Sequence, residues 1–285
     1  RTPILELYAG GSIDIDNLEI EGLQEFRLFD GATVSSSLEA FIGDNISRVK
    51  AQGATIALGN VLGVGTTSAN SGLLDLASGS SADIDGSVSV GGELGSGRIN
   101  VVTGSTLRVR SAASGPGALG VGSAGTLSVA GAQSRVELDG RLIVDGGDVN
   151  LANSAGFAIG GLDLLNGTVS ASATTGSISG SIVVGGGTGT TARVDLIEGS
   201  LITANVSSVS IGTGAGSAQV DIAGSTLEIA AQGQGSPDFA VGNSGTVRVG
   251  NGGELGIFGD IDLNGGLLAI DGTGRVFARN LNAGA

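Results

Sequence analysis

Three short acidic motifs carry the side chains best placed for chemistry: Asp14-Ile15-Asp16, Asp83-Ile84-Asp85 and Asp260-Ile261-Asp262. On a strand, residues i and i+2 share a face about 6.5–7 Å apart, a spacing that suits Ca2+ between two carboxylates or the acid/base pair of an inverting glycosidase. Asp14, Asp16, Asp83, Asp85, Asp260 and Asp262 are therefore the candidate metal ligands, and Ca2+ is the one cofactor considered. A simpler reading competes with this one and is preferred: outward carboxylates keep a strand surface soluble and discourage sideways pairing. The three pairs lie far apart in sequence, so no catalytic residue and no cofactor is assigned, and the chain is read as non-enzymatic.

The residues that are missing point the same way. The 285-residue chain has no Cys, His, Met or Trp. It thus lacks a disulfide framework, a thiol nucleophile, a thiolate metal site and the commonest general base. Its formal charge of −14 repels phosphate backbones and anionic lipid, which argues against nucleic-acid and polybasic membrane binding. No apolar run is long enough to span a bilayer. The chain opens at Arg1 without a charged and then apolar leader, and is read as a processed or excised segment.

Whatever positions these carboxylates must be built mainly from strands and turns. Gly supplies 55 residues, Pro only 3, and no Gly-X-Y period is present. So much Gly disfavours helix, while 40% apolar residues and a mean hydropathy of +0.34 argue against disorder. Short alternating stretches recur about every eight residues, among them Gly125 to Val129 (G-T-L-S-V), Ser134 to Leu138 (S-R-V-E-L) and Gly259 to Leu263 (G-D-I-D-L). The segment Gly104-Ser105-Thr106-Leu107 returns 120 residues later as Gly224-Ser225-Thr226-Leu227, and Val121-Gly122 returns at Val241-Gly242. Ala192 to Leu196 resembles Ala218 to Ile222, about 26 residues on.

Three short strands in each unit of about 24 residues, joined by tight Gly-rich corners, describe the coil of a parallel β-helix, or β-solenoid, with about 11 or 12 coils. In that arrangement Leu127, Val129, Val220 and Ile222 stack inward, and Thr126, Ser128, Arg135 and Asp221 face water. A β-sandwich is set aside because 3% aromatics cannot fill its thicker core. Residues 1–60 are less regular and are read as N-terminal coils that form a cap or a docking region, followed by one continuous regular solenoid over 61–285.

The run Val121 to Leu138 and its relative Val241 to Gly253 resemble the Gly-rich β-solenoid repeats of bacterial autotransporter passengers and related surface proteins. The resemblance spans about residues 61 to 275, and its motifs identify architecture rather than a ligand. It implies an extracellular or cell-surface location and a role in adhesion, aggregation or matrix formation, with a host or glycan ligand left open. A solenoid has two open ends, each a row of unpaired backbone groups over an apolar core. The expectation is a structural protein that self-associates end to end. Its candidate subunit contacts are Ile4, Leu5, Leu7, Tyr8, Phe26 and Phe29 on one side and Arg275, Phe277 and Arg279 on the other, with the segment Thr2 to Tyr8 adding a strand to a neighbour. Two alternatives stay open: the stalk of an autotransporter-type adhesin, and a polysaccharide-binding or polysaccharide-degrading β-helix.

Overall fold

The alternation of apolar and polar residues becomes strand in every repeat. A computed structural model describes residues 4–21, 25–44, 47–66, 71–112, 115–186, 190–231 and 236–283, and among these it holds 30 strands and no helix. The strands stack in parallel as a β-solenoid of about ten turns, slightly fewer than the 11 or 12 expected. The coils are not of fixed length. Register partners lie 20 residues apart at Leu162 and Ile182 but 31 apart at Val90 and Val121, because the corners absorb insertions without disturbing the walls. Several strands are longer than the short strands expected. Ser12–Glu21 and Thr33–Asp44 run through a corner, where their register shifts between Ile15 and Asn17 and again between Ile20 and Glu21.

The chain forms two compact units: Arg1–Arg141 with Gly146–Asn150 and Ser154–Gly156, and Leu142–Asp145 with Leu151–Asn153 and Phe157–Ala285. In the first unit, one wall stacks Leu5, Phe26, Val49, Leu74, Ile99 and Leu127 in successive coils. A second wall stacks Ile13, Val34, Ile56, Ala82, Leu107 and Val136, and a third stacks Leu18, Ala40, Leu62, Val88 and Leu119. The second unit repeats the plan. Its first wall stacks Val169, Val194, Val220, Val247 and Leu268, its second Ile202, Leu227, Leu255 and Val276, and its third Leu162, Ile182, Val209, Phe239, Ile261 and Leu281. Leu127, Val129, Val220 and Ile222 are buried as expected, whereas Thr126, Ser128 and Asp221 are half-buried and Arg135 is exposed.

Two kinds of corner account for much of the glycine. The corner from first to second wall is a tight turn with two successive left-handed residues, as in Glu198 (φ 57°) and Gly199 (φ 80°). Its next residue is a buried Ser in many coils. Ser80, Ser105 and Ser134 accept backbone N–H bonds from Ala54, Ser80 and Gly104 at 3.1–3.2 Å, and Ser200 and Ser225 do the same for Thr174 and Ser200. A hydroxyl ladder thus satisfies backbone donors that the bend takes out of the sheet. The corner entering the first wall needs small residues for another reason. A Cβ on Gly125 would lie 2.1 Å from the carbonyl oxygen of Val90, so the leading Gly of the G-T-L-S-V motif marks close approach of two backbones rather than a turn.

Candidate functional site

Each acidic pair is met by the outward residues of the adjacent coil. Asp14 and Asp16 accept hydrogen bonds from the hydroxyls of Ser35 and Ser37 at 2.8 and 3.1 Å. Asp83 receives Arg108 and Arg110 at 3.2 and 3.1 Å, and Asp85 stands in register beside Arg110. Asp260 receives Arg279 Nε at 2.8 Å and Asn280 at 3.0 Å, while Asp262 receives Asn282 at 2.7 Å. Among the described residues no three acidic side chains converge on a point where a cation would sit.

The pairs belong to charge ladders along the walls. Arg27 bridges Glu6 at 2.9 Å and Glu25 at 2.7 Å, and Lys50 Nζ sits 2.5 Å from Glu25 Oε1, an ion-pair contact lying off the hydrogen-bond direction. The hydrogen bond from Arg27, and then the Lys50 ammonium beside it, hold the Glu25 carboxyl below its ordinary value. Arg108 joins Glu137 at 2.7 Å to Asp83, and Arg193 joins Asp195 and Asp221 at 2.8 and 2.9 Å. Bonding to Arg279, and next to Asn280, lowers Asp260 in the same way. These Arg groups are well exposed, so each bridge adds little stability and mainly fixes which outward residues face each other.

Among the described residues, the terminal coils hold several of the exposed large apolar side chains. Ile4–Leu7 pairs only with Glu25–Leu28 among the described strands. Ile4, Leu5 and Tyr8 are exposed, Leu7 is half-buried, and Tyr8 stacks on Phe29 at 4.9 Å between ring centroids. Of the expected opening segment, Thr2 and Pro3 lie outside the described residues. Phe26 corrects the expectation. It is 1% exposed, because its inward column places it beneath Leu5, and it serves as core rather than contact. In the second unit, strands Leu267–Ile270, Arg275–Phe277 and Asn280–Ala283 form the last coil, with Leu267, Ile270, Phe277 and Leu281 exposed. Arg279 is engaged by Asp260, whereas Arg275 has no ion pair among the described residues.

Comparison with known proteins adds little to this geometry. No protein-family model and no curated protein matches the chain. It is similar to the crystal structure of a TibC-catalysed hyper-glycosylated TibA fragment, at 17% identity over 95% of this chain and 99% of that one, with a TM-score of 0.25. Sequence reasoning missed Leu267, Ile270 and Leu281 in the last coil, although the apolar alternation of L-L-A-I and N-L-N-A already placed inward residues there.

Proposed function

We propose that the chain is a non-enzymatic structural protein of a bacterial cell surface or extracellular matrix that assembles head to tail, the last coil of one copy receiving the first coil of the next. The observation that carries this reading is the match between the two terminal coils. Both turn from first to second wall by the same hydrogen-bonded corner, Gly11 N–H to Tyr8 O at 2.9 Å and Gly274 N–H to Asp271 O at 3.0 Å, so their walls correspond one to one. Laid in that register, the inward Leu5 and Leu7 fall on Leu268 and Ile270 of another copy, Ile13 on Val276, and Leu18 on Leu281. Asn17 falls on Asn280, outward beside outward. Each open edge offers unpaired backbone N–H and C=O groups to the other. A contact between two different faces of the same protein propagates into a filament unless its rotation closes a ring.

The test is a concentration series followed by sedimentation and electron microscopy. Linear oligomers that lengthen with concentration and shorten in Leu281→Arg support the reading. Monomers alone at high concentration overturn it in favour of the stalk alternative, in which the covering coil belongs to the same polypeptide.

A further inference from the structure

A lateral hollow of about 390 Å3 opens on the second wall of the second unit. It is built by three coils in register: Glu228, Gly256 and Phe277 form one outward row, and Thr226 and Glu254 lie in the row beside it. Phe258 also lines it, and the residue is 65% exposed, Phe277 52%. The floor is Gly256, which, like Gly120, is held to glycine neither by a left-handed backbone nor by a close backbone approach. Its backbone lies outside the left-handed region, and a Cβ there would meet nothing nearer than Glu228 Cγ at 4.0 Å. What glycine provides at this position is empty space. A further coil stacked on Arg275–Phe277 would lie beyond Phe277 and leave the hollow open, so the site does not depend on what covers the last coil.

The lining specifies a cation. Asp83, Glu137, Asp195 and Asp260 are met by Arg, whereas Glu228 and Glu254, like Asp14, Asp16 and Asp262, make no ion pair among the described residues. Two exposed aromatic side chains stand beside Glu228 and Glu254 on a chain of net charge −14, and Arg275, in register beside Glu254, makes no ion pair with it. A planar guanidinium suits this better than an ammonium. It stacks on rings, is weakly hydrated, and forks to carboxylates. The volume falls in the range of small-ligand sites, about 300–1,000 Å3. We infer that the hollow floored by Gly256 and lined by Glu228, Glu254, Phe258 and Phe277 is a binding site for a guanidinium group, as carried by an exposed arginine of a peptide or by a free arginine-like cation.

The test uses a fluorescently labelled peptide with one central arginine among glycine and serine, the same peptide with citrulline, and arginine amide as a free competitor. The arginine peptide should bind about tenfold or more tightly than the citrulline peptide. Gly256→Val fills the hollow at a strand position where valine is favoured, so it should lose at least that factor while its thermal midpoint holds or rises. Glu228→Gln with Glu254→Gln should lose a similar factor and flatten the dependence on salt. Competition by arginine amide at the peptide's own affinity supports the site and identifies a free cation as its ligand; much weaker competition supports it and identifies a chain-borne one. Equal binding of the citrulline peptide, undiminished binding by folded Gly256→Val, or no binding of either arginine probe at millimolar concentration overturns the assignment.

Discussion

Ser200→Ala isolates the hydroxyl ladder that holds the corners. Ser200 is 1% exposed; its Oγ accepts the Thr174 N–H at 3.2 Å and lies 3.0 Å from the carbonyl oxygens of Ala171 and Ile197, to one of which it donates. Thr174 itself is fully buried, so removing the hydroxyl strands a backbone donor where water does not reach. Such a group costs about 1–3 kcal/mol. The cavity contribution is small, since Ala155 already occupies a buried corner position in another coil. The expected loss is therefore about 1–3 kcal/mol, or roughly 2–10 °C of melting temperature for a unit of this size. Solenoid segments can open separately, so denaturant melts should be paired with hydrogen exchange. The Thr174 amide should exchange about tenfold faster or more, with little change in distant coils. Ser128→Ala on the outer face is the control and should stay within about 0.5 kcal/mol. Equal effects of the two substitutions, or an unchanged Thr174 amide, would refute the ladder.

Four further outcomes follow from the same geometry. Val129→Asp buries an unpaired carboxylate where exposure is 0% and should cost several kcal/mol, about 3 or more, while Ser128→Asp should be nearly silent in denaturant melts. Gly125→Ala drives a methyl to 2.1 Å from the Val90 carbonyl and should cost about 1–3 kcal/mol by the same assay. Ala173→Gly relieves a left-handed alanine (φ 50°) and should be neutral or stabilising by up to about 1 kcal/mol, which a raised urea midpoint would show. Glu25 has a folded pKa below its ordinary value of 4.5, so it stabilises the fold above that pH and loses the effect as pH falls through the folded value. Glu25→Gln should accordingly lower the urea midpoint at neutral pH and leave it unchanged well below pH 4.5; a loss of equal size at both would assign the effect to packing.

Alternation of side chains was enough to place Leu127, Val129, Val220 and Ile222 inside, because a strand's period of two does not depend on its partners. The same rule misleads at corners. Ser105 and Ser225 are polar and stand beside outward threonines, yet they are buried, since their hydroxyls answer backbone groups that only the folded corner leaves unpaired. Glycine was legible as a turn former but not as a spacer, and Gly125 and Gly256 need the adjacent coils to be understood. Ion-pair partners such as Asp83 with Arg108 depend on coil length, which varies from 20 to 31 residues and is not marked in the sequence. Phe26 was misplaced for a related reason: it lies one coil in from Leu5, and the chain gives no local sign of where a coil closes.

The proposed filament requires one solenoid end to seat on the other in a defined register. Because the chain has no cysteine, two single substitutions test it directly: Asn17→Cys in one preparation and Asn280→Cys in another. Opposed residues on adjacent parallel strands lie about 4.8 Å apart, inside the range a disulfide accepts. Mild oxidation of the mixture should give a disulfide-linked dimer that neither preparation forms alone. The absence of that dimer, or equal linking when Asn280→Cys is mixed with Asp14→Cys on a different wall, would contradict the claim.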